Sequence, residues 1–311
     1  MSTLLVDKPG LKLTPKTTSV FKTGSYAVHE QTVDPSNPSN FPPPKQLLII
    51  SPTSKGEYPV IVFLHGFSLN NYFYKQLLTH IASHGYIAIA PQLYTSFPMP
   101  VCNGYKEINS AADVTNWLSQ GLESMLPKNV KPNLEKLALS GHSRGGKTAF
   151  SLALEPDKTS PKFKALIGVD PVAGFRKGFQ IKPNILSDEP GSLDIGFPVM
   201  VIGTGLGGSC APEGVNHDNF YNNLQHQSYH FVACENGHMD MLDDGLDIVG
   251  KIKACLCKAG KTGKDRMRRC VGGLVVAFLR NCMDDINDDL EAIFLDPNIA
   301  PVKLSHGQFK P

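Results

Sequence analysis

The chain of 311 residues is 41% hydrophobic and 19% charged, so it can bury a large core and reads as one soluble globular protein. A formal net charge of +2 gives no signature of nucleic-acid binding. No apolar run reaches the roughly 18 to 20 residues that a membrane-spanning helix needs.

Residues 1–26 form an N-terminal extension, and 27–311 read as a single domain because no flexible linker divides them. The extension lacks the positive start, apolar middle and small-residue cleavage site of a secretory signal. Its Lys, Ser and Thr content is offset by Asp7 and Pro9, so chloroplast and cytosol both stay open. A Pro-rich surface connection at 34–45 precedes the first of seven short apolar runs, at 46–51, 59–66, 86–92, 136–141, 165–170, 198–204 and 229–234. Most are continuously hydrophobic, as strands covered on both faces are. Helix-like stretches at 70–85, 108–126, 145–155, 217–225, 239–257 and 266–283 alternate with them. That order predicts an α/β fold, a mainly parallel central sheet with helices on both faces.

Two charge blocks close the chain, one basic at 251–269 and one acidic at 284–296. Solvated surface explains both; contact of the basic block with anionic lipid head groups, a peripheral membrane contact, is the sharper alternative. Among the seven cysteines, Cys255, Cys257, Cys270 and Cys282 cluster without a zinc-type spacing. Buried thiols, or at most one or two disulfides, are expected, and no metal.

The motif that carries chemistry is "LALSGHSRGGKTAF" at 137–150. A GxSxG pattern alone is weak, but here Gly141, Ser143 and Gly145 lie between an apolar strand-like run and a helix-like one. This is the strand, sharp turn and helix of a nucleophile elbow, which makes Ser143 the candidate nucleophile. Upstream, "FLHGFS" at 63–68 ends a strand in His65-Gly66. The backbone N–H groups of Phe67 and Arg144 are therefore the candidate oxyanion donors. His238 lies just past the last main strand, where the base belongs, while His217, His226 and His230 fall within elements. The usual place for the acid, after 198–204, lacks a carboxylate until Glu213. Asp170, at the end of the preceding strand, takes the role, with Asp218 in reserve. Asp240 is too near His238 in sequence, and Asp243 or Asp244 is expected to cap or face a helix. "GTGLGG" at 203–208 formally matches a dinucleotide fingerprint, but a proline follows instead of a helix start, so no such cofactor is expected.

These blocks resemble the plant chlorophyllases. The likeness rests on "GHSRGGKTAF", "LIGVDPVAG", "VIGTGLGG" and "GHMDMLDD", with "FLHGFSLNNYFY", "ASHGYIAIAPQLY" and "NSAADVTNWL", and it spans roughly residues 20–295. It implies an α/β-hydrolase fold, and a serine carboxylesterase that cleaves the phytyl ester of chlorophyll without a metal or organic cofactor. The family pattern assigns nucleophile, acid and base to Ser143, Asp170 and His238. Chlorophyll, related esterified pigments and water are the implied partners. A large apolar substrate needs a greasy mouth; the loop 92–108, with Tyr94, Phe97 and Met99, is the candidate wall. Two alternatives are an esterase of the same fold acting on another hydrophobic ester, and a ligand-binding receptor that kept the hydrolase frame.

Overall fold

A computed structural model describes residues 18–95, 103–246, 250 and 256–311. All seven apolar runs are strands: β2 (Leu47–Pro52), β3 (Gly56–Leu64), β4 (Ile87–Pro91), β5 (Val130–His142), β6 (Phe163–Val169), β9 (Val199–Thr204) and β10 (Ser228–Ala233). Four further strands were not expected: β1 (Val28–Val33), the hairpin of β7 (Gly174–Arg176) and β8 (Phe179–Gln180), and β11 (Gln308–Lys310). One sheet orders them β1-β2-β4-β3-β5-β6-β9-β10-β11, with β7 and β8 forming a separate hairpin. From β4 to β10 the pairings are parallel; β1, β2 and β11 add antiparallel edges.

The pleat explains the continuous hydrophobicity. On β3, Ile61 and Phe63 join one core, while Val60, Val62 and Leu64 join the other, and all are buried. The first core is closed by α1 (Lys75–Ser83), α5 (Lys264–Asp284) and α6 (Asp288–Leu295), through side chains such as Leu77, Leu274 and Ile293. The second is closed by α2 (Gly104–Gly121), α3 (Arg144–Ala153) and α4 (His217–Asn223), through Trp117, Phe150 and Phe220. Each such buried side chain contributes roughly 1.5–3 kcal/mol relative to exposure. Val20 and Phe21 are also buried in the first core.

Two helical expectations are corrected. The stretch 108–126 begins earlier, at Gly104, where the Asn103 side chain accepts from the Lys106 N–H at 3.2 Å, and it ends at Gly121. The stretch 239–257 is not one helix: 239–246 run as turns, and of the remainder only 250, 256 and 257 are described. The Asp240 carboxylate accepts from the Gly237 N–H at 2.7 Å and the Gly260 N–H at 2.8 Å, which fixes a non-helical path. Asp243 caps α1 by accepting from the Gln76 N–H at 3.0 Å, as expected of a capping carboxylate. The basic block is not wholly solvated either. Arg268 is buried, donating to Leu242 O at 2.8 Å and to the Asp244 carboxylate at 2.5 Å, and so clasps the 239–246 segment to α5.

Candidate active site

Parallel strands deliver their C-terminal ends to one edge of the sheet, and β5, β6 and β10 deliver Ser143, Asp170 and His238 there. Between the end of β5 and the start of α3, Ser143 is held at φ 56° and ψ −123°. Its N–H donates to Val169 O at 3.0 Å. Only glycines fit beside it: a Cβ on Gly141 would lie 2.4 Å from Gly145 O, and one on Gly145 2.2 Å from Leu64 O. Positive φ in a non-glycine residue is strained, and the strand–helix crossing over-determines it here.

Asp170, also at positive φ (42°), is fully buried directly after β6. Its Oδ2 accepts from His238 Nδ1 at 2.6 Å and from Thr204 Oγ1 at 2.6 Å, and its Oδ1 accepts from the Thr204 N–H at 3.1 Å. Burial alone would raise its pKa, but the His238 hydrogen bond and charge, with help from His217 and Thr204, outweigh it and hold the carboxyl below its ordinary value. A carboxylate only accepts, so His238 carries its proton on Nδ1, and Nε2 is left to accept the Ser143 hydroxyl 2.9 Å away. Thr204, at the end of β9, thus holds the Asp170 carboxylate through both its hydroxyl and its N–H.

Ser143, Phe67 and Arg144, together with Val172, Phe175 and Ile181, line one cavity of about 180 Å³ among the described residues. Arg144 is the first residue of α3, where N–H groups point out of the helix. Its guanidinium meets Glu107 of α2 through Nε, 2.8 Å from Oε2, and Nη2, 2.5 Å from Oε1, and it lies 5.3 Å from the Phe67 ring centroid. The side chains of the two candidate donor residues are thus in contact. His65 is neutral in its pocket: burial pushes its pKa down to about 4, and its Nε2 accepts from the Leu93 N–H at 3.0 Å.

The expected wall is only partly in view. Phe97 and Met99 lie outside the described residues. Tyr94 lines a neighbouring cavity with Leu93 and Glu107, not the one that holds Ser143. Phe175 of the β7–β8 hairpin lines the Ser143 cavity and is 67% exposed, and Phe179 on the same hairpin is 57% exposed. Two phenylalanines flanking Arg-Lys-Gly at 175–179 were the legible sign of it. Cys210, on the same cavity, is disulfide-bonded to Cys257, within the one or two bridges expected.

The reserve acid Asp218 is 59% exposed in side chain and lies 3.4 Å from His217 Nδ1 and 3.9 Å from His230 Nε2. These three are the candidate metal-binding group among the described residues. The His217 and His230 nitrogens are 3.0 Å apart and the ring centroids 5.2 Å, a difference of about two ring radii, so the rings meet head-on. That is an N–H···N bond, whereas two lone pairs converging on an ion would need the rings inclined to each other. After β9, "GTGLGG" leads into a single 3₁₀ turn (Gly208–Cys210) and no α-helix, so it lacks the helix N-terminus a pyrophosphate needs.

The chlorophyllase family model matches residues 16–311. The chain belongs to the chlorophyllase family. It is 47% identical to chlorophyllase-1, chloroplastic, of Citrus unshiu over 96% of this chain and 90% of that protein. Chlorophyllase-1 of Arabidopsis thaliana is 45% identical over 93% of this chain and 91% of its own length. Chlorophyllase type 0 of Chenopodium album is 41% identical over 93% and 86%. As a member of that family the chain is a carboxylic ester hydrolase of α/β-hydrolase fold, and the receptor alternative falls away.

Proposed function

We propose that the chain hydrolyses the phytyl ester of chlorophyll through a serine ester formed on Ser143. The observation that carries this reading is the hydrogen-bonded series from Asp170 Oδ2 through His238 to Ser143 Oγ, opening on a cavity walled by Phe67 and Arg144. His238 Nε2 takes the Ser143 proton as Oγ attacks the ester carbonyl carbon, and the carbonyl oxygen becomes an oxyanion that accepts from the Phe67 and Arg144 N–H groups. The same proton then passes from Nε2 to the phytol oxygen, and the C–O bond to phytol breaks. Water, deprotonated by Nε2, attacks the acyl carbon; the bond to Ser143 Oγ breaks, Oγ takes the proton back from Nε2, and chlorophyllide leaves as the acid. Asp170 stays ionised throughout and stabilises the imidazolium.

A cavity of about 180 Å³ holds an ester group but not a whole pigment, so the macrocycle or the phytyl chain lies across the rim, on Phe175 and Phe179. Any lipid contact falls to the basic block 251–269, and sedimentation with anionic liposomes checks it. The names of the Citrus relatives place those proteins in the chloroplast, and we assign this chain the same compartment.

The test is to incubate purified protein with chlorophyll and separate the products by chromatography. Chlorophyllide and phytol appear with the wild-type chain, and Ser143→Ala lowers the rate about 10⁵-fold or more with its circular dichroism unchanged. Normal turnover by Ser143→Ala sinks the serine-ester route; turnover of aryl esters with no action on chlorophyll sinks the substrate.

A further inference from the structure

Behind the site runs a second series of hydrogen bonds that the reaction scheme does not use. Tyr74 is the last residue of a 3₁₀ turn (Asn71–Tyr74) before α1, and His142 is the last residue of β5, next to Ser143. Both side chains are fully buried. The Gly66 N–H donates to Tyr74 Oη at 2.9 Å, Tyr74 Oη is 2.7 Å from His142 Nδ1, and His142 Nε2 is 2.9 Å from His238 O.

The two ends of this series set its direction. An N–H only donates and a carbonyl only accepts. His142 must therefore carry its proton on Nε2 and donate it to His238 O, which leaves Nδ1 to accept from the Tyr74 hydroxyl. Every member is satisfied, and only one tautomer of His142 allows it. Burial, reinforced by the nearby His238, pushes the His142 pKa down to about 3, so the ring is neutral at any ordinary pH. The ring also packs on that of His238, centroid to centroid 4.6 Å. Gly66 completes the fit, because a Cβ there would lie 3.1 Å from His142 Nδ1 and 3.2 Å from the Tyr74 hydroxyl.

We propose that Tyr74 and His142 are positioning residues that lock the oxyanion loop at Gly66-Phe67 and the backbone of His238 into one register on either side of Ser143. This rests on the serine-ester reading above. Asp170 orients the His238 ring; the His142 bond fixes the carbonyl of the same residue, and so the ring's distance from Ser143. Neither Tyr74 nor His142 touches the reacting atoms. A displacement of about 1 Å at either end is expected to cost up to roughly a hundredfold in rate.

Three variants divide the series. Tyr74→Phe removes the middle hydroxyl. His142→Gln puts an amide N–H in place of Nε2 and keeps the link to His238 O, but leaves nothing for Tyr74 to donate to. His142→Asn puts an oxygen in place of Nδ1 and keeps the link to Tyr74, but drops the one to His238. Folded, competent protein is counted by fluorophosphonate titration, and kcat and KM are measured per titrated site on a short p-nitrophenyl ester. Tyr74→Phe and His142→Asn should each lower kcat about ten- to a hundredfold with KM within twofold of wild type. In Tyr74→Phe, affinity for an alkylboronic acid should fall in proportion to kcat, because both need the oxyanion loop. His142→Gln should match Tyr74→Phe, and the two combined should cost no more than either alone. If kcat per titrated site stays within twofold of wild type while only the melting temperature drops, the residues merely fill space and the proposal is overturned. Failure of the wild-type chain to label at Ser143 is a separate result that strikes the serine-ester reading itself.

Discussion

At the ends of β5, β6 and β10, Ser143, Asp170 and His238 are buried, and their side chains and backbone are tied to one another and to Thr204, Val169 and His142. A short distance away the β7–β8 hairpin carries Phe175 and Phe179 into solvent, its tip held by an exposed Lys177–Asp188 ion pair and by Arg176 lying 4.2 Å from the Phe179 ring centroid. Proton transfer tolerates little displacement, and the groups to which the proposed reaction assigns it sit at strand ends. Holding a greasy, bulky substrate tolerates much more, and the proposed function assigns that task to the two-stranded hairpin with its exposed phenylalanines.

The contrast can be broken by experiment, beginning where the effect is greatest. Asp170→Asn should lower kcat about 10⁴-fold on every ester, with KM nearly unchanged, because the amide neither holds the Nδ1–H tautomer nor stabilises imidazolium. A loss confined to chlorophyll would place Asp170 in recognition instead. Acid should next undo the floor of the site. His65 and His142 are held neutral, their pKa values pushed down from an ordinary 6.5 to about 4 and about 3. The unfolded chain therefore binds more protons as pH falls below 6.5, and stability is complete above that value and lost towards pH 4 and 3. Each histidine contributes a slope of up to about 1.4 kcal/mol per pH unit. Urea midpoints measured from pH 7 to 4 should fall, less steeply in His142→Gln; a flat profile would contradict the burial argument.

Glu107→Gln should cost about 3 kcal/mol in denaturant, since Arg144 stays buried without its carboxylate. Stability equal to wild type would mean that the pair is dispensable to the floor. The smallest effect belongs to the rim. Phe175→Ser with Phe179→Ser should raise KM for chlorophyll about tenfold, change that for a short aryl ester less than twofold, and alter stability by no more than about 0.5 kcal/mol. Equal shifts for both substrates would remove the hairpin from substrate binding.

Legibility in the sequence follows the same division. Strands covered on both faces announce themselves as unbroken apolar runs, and the residues at their ends, Ser143, Asp170 and His238, could be placed by counting strands. The edge strands β1 and β11 and the β7–β8 hairpin are short or half-exposed and carry no such signal. The 239–246 segment looked helical because Met239, Met241 and Leu242 are apolar and buried, yet side-chain bonds from Asp240 and Arg268 hold it in turns. Glu107 and Tyr74 meet the site from 37 and 68 residues away, and no local pattern reports such a meeting.

The clasp of Arg268 on Leu242 has a consequence for biosynthesis. When Ser143, Asp170 and His238 have all left the ribosome, the helix that pins the 239–246 segment has not, and the strand that covers the edge of β10, Gln308–Lys310, comes later still. A nascent chain that has emerged only as far as His238 thus carries Ser143, Asp170 and His238 without the Arg268 clasp that holds the 239–246 segment beside them.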